Sequence, residues 1–137
     1  MKKILHLTKR RDFLRVAKGM HMVMSTVVLQ ATPSLKPDLN QDVCHIGFTT
    51  TKKLGSAVVR NRIRRRLRAA VRQVFPERAM KDFDYVIIGR YSTLSCPFKT
   101  LTGDLKWGLK KIRLLLEQND DAASSAPTDT KDLSDDA

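Results

Sequence analysis

The chain of 137 residues has few of the side chains that build metal sites, disulfide frameworks or nucleophilic active sites. It contains only two cysteines, Cys44 and Cys96, and its three histidines are scattered, so no set has the spacing of a zinc site. No serine elbow, phosphate-binding loop or dinucleotide fingerprint occurs in the sequence. The sequence therefore predicts a protein with no catalytic residue and no metal ligand of its own.

Long apolar runs are also absent. No stretch of about 18 apolar residues occurs, which predicts that nothing spans a membrane. The apolar run at residues 4–7 is too short for a signal peptide, and basic residues follow it at once. We therefore expect both cysteines to be reduced thiols and the protein to be cytoplasmic. The sequence implies no membrane partner and no obligate protein partner.

Negative charge is scarce outside the C-terminal end. Residues 1–116 contain 25 basic and 7 acidic residues, a formal charge of +18, whereas residues 117–137 sum to −6. A body with this charge binds polyanions by releasing their counterions. Residues 118–137 have the composition of a disordered acidic tail. This tail is either an inert extension or a weak mimic of phosphate that occupies the basic surface when a polyanion is absent.

Periodicity and turn signals predict the element order αββαβα. Strands with helices on one side give an α+β fold, a two-layer α/β sandwich, over residues 8–117. The first two strands are expected to be antiparallel neighbours, and Pro76 is expected to end the central helix. The predicted segments are a flexible basic N-terminal arm (1–9), helices at 8–18, 56–74 and 98–117, and strands at 22–30, 43–50 and 85–89.

The central helix combines an apolar stripe with a dense row of arginines. On an ideal helix, with about 100° per residue, Asn61 and Arg62, Arg65, Arg68 and Arg72 lie opposite the apolar stripe. We call these four arginines the arginine comb. No acid occurs between residues 56 and 75, although a merely solvated face would mix acids with bases. Arginine binds phosphate bidentately. The comb therefore favours a nucleic-acid ligand, and folded RNA over DNA, because no helix-turn-helix is recognisable.

The segment 47–65, GFTTTKKLGSAVVRNRIRR, resembles the signature of the bacterial ribonuclease P protein component. That signature is a strand, a Lys-Lys-x-Gly turn, and Ala-Val-x-Arg-Asn-Arg at the start of an arginine-rich helix. Asp12-Phe13 resembles the aromatic position of the family's first helix, and residues 84–88 resemble its last strand. The resemblance covers roughly residues 8–116, and the acidic tail has no counterpart in it.

The resemblance implies the small protein partner of a catalytic RNA that removes the 5′ leader from precursor tRNA. The RNA with its Mg²⁺ is then the catalyst, and the protein supplies no acid, base, nucleophile or metal ligand. The family fold implies a left-handed βαβ crossover, an exception to the usual rule. The implied contacts with the catalytic RNA are Lys52, Lys53, Arg60, Asn61, Arg62, Arg64, Arg65 and Arg68.

The same resemblance implies that the leader lies in a cleft between the sheet and the first helix. Phe13 is suited to stacking on an unpaired base, but it is equally suited to anchoring the helix in the core. Where many relatives have further aromatics, this chain has Ala17 and Gln30. Leader contacts are therefore expected to depend on Phe13, Gln30, Phe48 and charge. The rival interpretation is a ribosomal or general RNA-binding structural protein with no role in cleavage.

Overall fold

The computed structural model describes residues 2–122, which form a mixed α+β sandwich. A short 3₁₀ turn, Lys52–Leu54, precedes α2. Within the described residues, no helix is both long and apolar enough to cross a membrane. The elements are β1 (Lys3–His6), α1 (Arg10–Ala17), β2 (Met20–Val23), β3 (Val27–Pro33), β4 (Val43–Thr49), α2 (Ala57–Arg78), β5 (Phe83–Gly89), α3 (Tyr91–Ser95) and α4 (Phe98–Ala122).

The five strands form one sheet in the order β1-β4-β5-β3-β2. β5 lies at the centre, parallel to β4 on one side and antiparallel to β3 on the other. The connection β4–α2–β5 is thus a crossover between adjacent parallel strands, and the left-handedness implied for it stays a prediction. β1 extends the sheet as a parallel neighbour of β4, and β2 closes the opposite edge as a hairpin with β3.

Alternation along the strands divides the sheet into two faces. Leu29, Ile46 and Ile87 point to the face that α2 and α4 cover, and all three are fully buried. A Cβ atom added at Gly89 would lie 2.6 Å from Cγ2 of Ile63 on α2, so glycine permits this helix to approach the sheet closely. The core therefore lies between this face and the two long helices. On the opposite face, α1 packs against β2, β3 and β5.

Three expectations about the strands were wrong. Residues 3–6 are not a flexible arm, because β1 pairs with β4 along its whole length. The run predicted as one strand at 22–30 is a hairpin, in which Met24 N donates to Val27 O at the turn. β4 does not pair with β3, since β5 lies between them. Periodicity within a segment carries no information about which distant strand becomes its neighbour.

The helix ends also differ from expectation. Pro76 does not end α2, which continues to Arg78 and closes with a bond from Ala79 N to Phe75 O. The short helix α3 was not predicted. α4 runs to Ala122, beyond the predicted start of a disordered tail at residue 118. Residues 123–137 of that predicted tail lie outside the described part of the chain.

Candidate RNA interface

The turn before α2 has its shape fixed by residues that carry no charge. Leu54 is buried and anchors the turn. Gly55 has φ +132°, a conformation that side chains disfavour. Ser56 then caps α2, its Oγ accepting from Val59 N at 3.3 Å. Lys52 and Lys53, both exposed, are thereby held beside the first turn of the helix.

The arginine comb is exposed along the outer side of α2. Arg62, Arg65, Arg68 and Arg72 are all exposed, and Asn61 beside them is exposed as well. The opposite side of the helix is buried, and it includes Val71 in addition to most of the predicted stripe. Its buried residues are Ile63, Leu67, Ala70, Val71, Val74 and Phe75.

The arginines of α2 form no ion pair with an acid among residues 2–118, whose side chains the structure describes. Arg64 donates to Oδ1 of Asn61 at 2.8 Å, and Nε of half-buried Arg60 has no hydrogen-bond partner within that range. Among residues 2–118, no acidic side chain compensates the charge of these guanidinium groups. Such a row is suited to phosphate, which offers an acceptor and a charge to each fork.

Arg66 and Arg68 have different surroundings, although both belong to the arginine-rich segment. Arg66 donates to Leu94 O at 2.7 Å and lies 6.0 Å from the Phe98 ring centroid, so it ties α2 to α3 and α4. Arg68 is exposed and lies 6.0 Å from the ring centroid of Phe48. Phe48 thus supports the base of the comb through a cation–π contact.

The opposite face of the sheet places Phe13 and Gln30 beside α1. The Phe13 ring lies against Gly47: a Cβ atom there would be 2.4 Å from Cζ of Phe13. Phe13 is half-buried, so its ring packs on the sheet and still keeps an exposed part. Gln30 on β3 is 7% exposed. Both residues are on the face predicted to hold the leader.

Gln30 is oriented by a histidine that the sequence did not indicate. Nε2 of His21 lies 2.6 Å from Ala17 O, and its Nδ1 lies 3.4 Å from Nε2 of Gln30. A carbonyl only accepts, so Nε2 of His21 is the donor to Ala17 O, and Nδ1 is the atom that faces the Gln30 amide nitrogen. The amide oxygen of Gln30 takes no part in the contact with His21. The pairing of β2 with β3, which sets His21 opposite Gln30, is what joins them.

Phe48 does not lie with Phe13 and Gln30, so grouping all three in one cleft was wrong. Gly47, which touches Phe13, and Phe48 are consecutive on β4, and consecutive strand residues point to opposite faces. Phe48 accordingly packs against the core on the α2 side. Its position beside Arg68 associates it with the comb.

A buried polar cluster holds α1 on the sheet face that carries Phe13 and Gln30. Asp84, 4% exposed, accepts from Arg15 of α1 and, at 2.6 Å, from Oγ of Ser34. Nδ1 of His45 lies 3.1 Å from Oδ1 of Asp84, the same oxygen that accepts from Ser34. Asp84 belongs to β5, in agreement with the resemblance of residues 84–88 to the family's last strand. No local sequence signal marks it, because its partners come from three distant segments.

Within the described residues, no group of three His, Cys, Asp or Glu side chains is placed to hold a metal ion. Cys44 is buried in the core, where desolvation raises the pKa of its thiol from 9.0 to about 12. Neither thiol lies in the comb or beside Phe13, so neither has a role in the two surfaces described above.

Comparison with known proteins assigns the chain to a family. A family model described as Ribonuclease P matches residues 1–113. The chain belongs to the ribonuclease P protein family. The matched region contains the comb, the Lys52–Lys53 turn, Phe13 and Gln30, so the resemblance noted in the sequence is confirmed. The protein is an RNA-processing subunit of the ribonuclease P type.

Relatives of this ribonuclease P protein cover most of the chain. The ribonuclease P protein component of Paramagnetospirillum magneticum is 46% identical over 122 residues, covering 88% of this chain and 90% of the relative. That of Gluconacetobacter diazotrophicus is 49% identical over 106 residues, with 77% and 88% covered. The solved structure of the Thermotoga maritima RNase P protein is similar with a TM-score of 0.63 and 26% identity, covering 77% and 96%. The predicted α+β sandwich is therefore confirmed.

Proposed function

We propose that this protein docks on the catalytic RNA of ribonuclease P through α2 and holds the 5′ leader of precursor tRNA on the opposite face of its sheet. The observation that carries the proposal is the exposed arginine comb, whose charge no described acid compensates. The RNA-contacting set comprises Lys52, Lys53, Arg60, Asn61, Arg62, Arg64, Arg65 and Arg68.

The body of the protein lowers the repulsion between two polyanions. Catalytic RNA and precursor tRNA repel each other, and a body with a formal charge of +18 over residues 1–116 lies between them. The catalyst in this proposal is the RNA with its Mg²⁺. The residues of this chain position RNA and precursor, and Mg²⁺ is bound mainly by the RNA.

The leader is proposed to lie along α1 and the exposed part of its sheet face. Phe13 presents the uncovered part of its ring, and Gln30, 7% exposed, lies on the same face with its amide beside His21. A ring and an amide are sufficient to contact an unpaired nucleotide by stacking and hydrogen bonding. Phe48 has no part in this surface.

The deciding experiment measures cleavage of precursor tRNA by a bacterial ribonuclease P RNA at low Mg²⁺, with and without this protein. We expect the protein to restore cleavage at the mature 5′ end, and the double variant Arg65→Ala/Arg68→Ala to lose most of that effect. Lys36→Ala/Lys81→Ala, which removes two exposed charges outside α2 and α4, is the matched control. Tight RNA binding without any effect on cleavage would instead favour a general RNA-binding protein.

A further inference from the structure

The outer surface of α4 carries the chain's single tryptophan in an unusual setting. Trp107 is 51% exposed, although tryptophan is highly buried on average. Leu101, Leu105, Leu109 and Ile112 form the buried stripe of α4, and Trp107 lies on the opposite side of the helix. Burial in the core therefore does not account for it. We define the α4 platform as the exposed residues Lys99, Gly103, Lys106, Trp107, Lys110 and Lys111.

The platform is basic without local compensation. Between residues 98 and 116 the only acid is Asp104, beside five basic residues. Its carboxylate is occupied inside the fold, accepting from Oγ1 of Thr26 at 2.6 Å and from Thr26 N at 3.2 Å. The charge around Trp107 is thus of one sign, which complements a polyanion.

Gly103 leaves the neighbourhood of the tryptophan ring open. A side chain in a helix leans over the turn that precedes it, so Trp107 extends toward residue 103, four positions earlier. An added Cβ atom at Gly103 would meet nothing within 4 Å, so packing does not require glycine there. A glycine inside an exposed helix lowers helix stability relative to alanine. Its effect here is an uncovered aromatic surface.

The platform and the arginine comb lie on neighbouring helices. Arg66 of α2 lies over Phe98 at the start of α4, and Arg113 of α4 donates to Arg78 O at 2.9 Å near the end of α2. These two contacts show that the helices lie side by side and run in the same direction. Along α4, Trp107 lies between the two contact positions, residues 98 and 113. Both helices bury their apolar stripes against the same sheet face, so their outer surfaces point away from it together. One RNA molecule is able to contact both.

We infer that the α4 platform binds an unpaired nucleotide of the RNA that docks on the comb, with the base stacked on Trp107 and phosphates near Lys106 and Lys110. This inference rests on the proposed function. Stacking on aromatics and a basic surround are how proteins hold single-stranded nucleotides. A membrane-surface helix would need a wide apolar face, whereas Trp107 and Leu114 are the large apolar residues exposed along residues 99–118 of α4.

The test uses Trp107 itself as the probe, because its fluorescence is the only tryptophan signal of the full chain. Binding of labelled ribonuclease P RNA is followed by anisotropy, and access to Trp107 by acrylamide quenching. We expect saturating RNA to reduce the quenching constant at least about twofold. Trp107→Ala should weaken binding roughly 5- to 150-fold, the range of base–aromatic stacking. Leu39→Ala, an exposed apolar residue elsewhere, should leave binding unchanged.

Two further variants separate recognition from folding. Gly103→Gln should raise the thermal midpoint, since a better helix former replaces glycine, and should weaken RNA binding by covering the ring. Lys106→Ala/Lys110→Ala should weaken binding more than Lys36→Ala/Lys81→Ala does. Unchanged affinity of the Gly103→Gln protein would contradict the inference.

The remaining outcomes are equally decisive. RNA bound to the comb while Trp107 stays fully accessible would exclude the platform from the interface and leave the proposed function intact. Protection by phosphatidylglycerol vesicles but not by RNA would assign the platform to lipid and overturn the inference. Absence of RNA binding by the wild-type protein would refute the proposed function and the inference with it.

Discussion

Gly47 determines how closely Phe13 approaches the sheet. The absence of a side chain at this one position gives the ring a place to pack, because any Cβ atom would overlap it. Packing against the sheet and stacking on a base are therefore compatible uses of the same ring, since one part contacts Gly47 and another remains exposed. The two interpretations of Phe13 that its sequence left open differ in what its removal changes.

Phe13→Ala is expected to weaken binding of precursor tRNA more than binding of mature tRNA, because only the precursor carries the leader. Titration of both RNAs against the assembled ribonucleoprotein measures the difference. A lower melting temperature with equal affinity for the two RNAs would assign Phe13 to packing alone. Leu14→Ala, an exposed neighbour on α1, is the matched control.

Cys44 is expected to resist thiol reagents in the folded protein, because burial raises its pKa from 9.0 to about 12 and keeps the thiol protonated. Labelling at pH 8 should modify half-buried Cys96 first and Cys44 only after unfolding. The protonated thiol stabilises the fold fully below pH 9, and this contribution falls as pH rises from 9 toward 12. Rapid labelling of two thiols in the native protein would contradict this prediction.

Among the elements, α2 combines a buried apolar side in the core with an exposed side that carries the arginine comb. The same helix presents Arg65 to solvent and uses Arg66 to contact α3 and α4. Adjacent arginines therefore have separable roles, which follow from their positions around the helix.

This separation predicts different responses to substitution. Arg65→Ala should weaken RNA binding and reduce the slope of log affinity against log salt by about 0.7–0.9, the value for one lost phosphate contact, at unchanged stability. Arg66→Ala should lower the thermal midpoint instead, because it loses the bond to Leu94 O and the contact with Phe98. RNA titrations over a salt series, with thermal denaturation of both variants, compare them. An identical response of the two variants would contradict the assignment.

On the other face of the sheet, Asp84 joins α1 to β5 through its contact with Arg15. Asp84→Asn should lower the free energy of unfolding by roughly 3 kcal/mol, because Arg15 loses its buried charged partner. Asp42→Asn, which removes an exposed partner of Lys2, should cost less than about 1 kcal/mol. Urea denaturation measures both. Equal losses would show that the Asp84 cluster does not hold α1 in place.

In the whole molecule, α2 and α4 pack on one face of the sheet, and α1 packs on the other. The α2 and α4 side presents the comb and the platform, and the α1 side presents Phe13 and Gln30. Since a sheet separates them, one protein is able to contact catalytic RNA and leader at once. The proposed function depends on this separation of the two surfaces.

The molecule's charge also predicts how its activity depends on salt. The gain in cleavage that the protein gives at low Mg²⁺ should fall steeply as monovalent salt rises, because counterion release weakens and screening shortens. Cleavage measured over a salt series, with RNA alone as the control at each concentration, tests this. A gain independent of salt would argue against an electrostatic role for the comb.

The sequence by itself determined the family, the α+β class, the capped arginine helix and the one-sided charge of its outer surface. These features are local: helical period, Gly55, Ser56 and a run of arginines without acids act over a few residues. The tertiary structure alone decided that β5 lies between β4 and β3, that Phe48 supports the comb instead of facing Phe13, and that Asp84 joins α1 to the sheet. Each of these depends on pairing between strands distant in sequence, and period-2 alternation gives which residues share a face without giving which face it is.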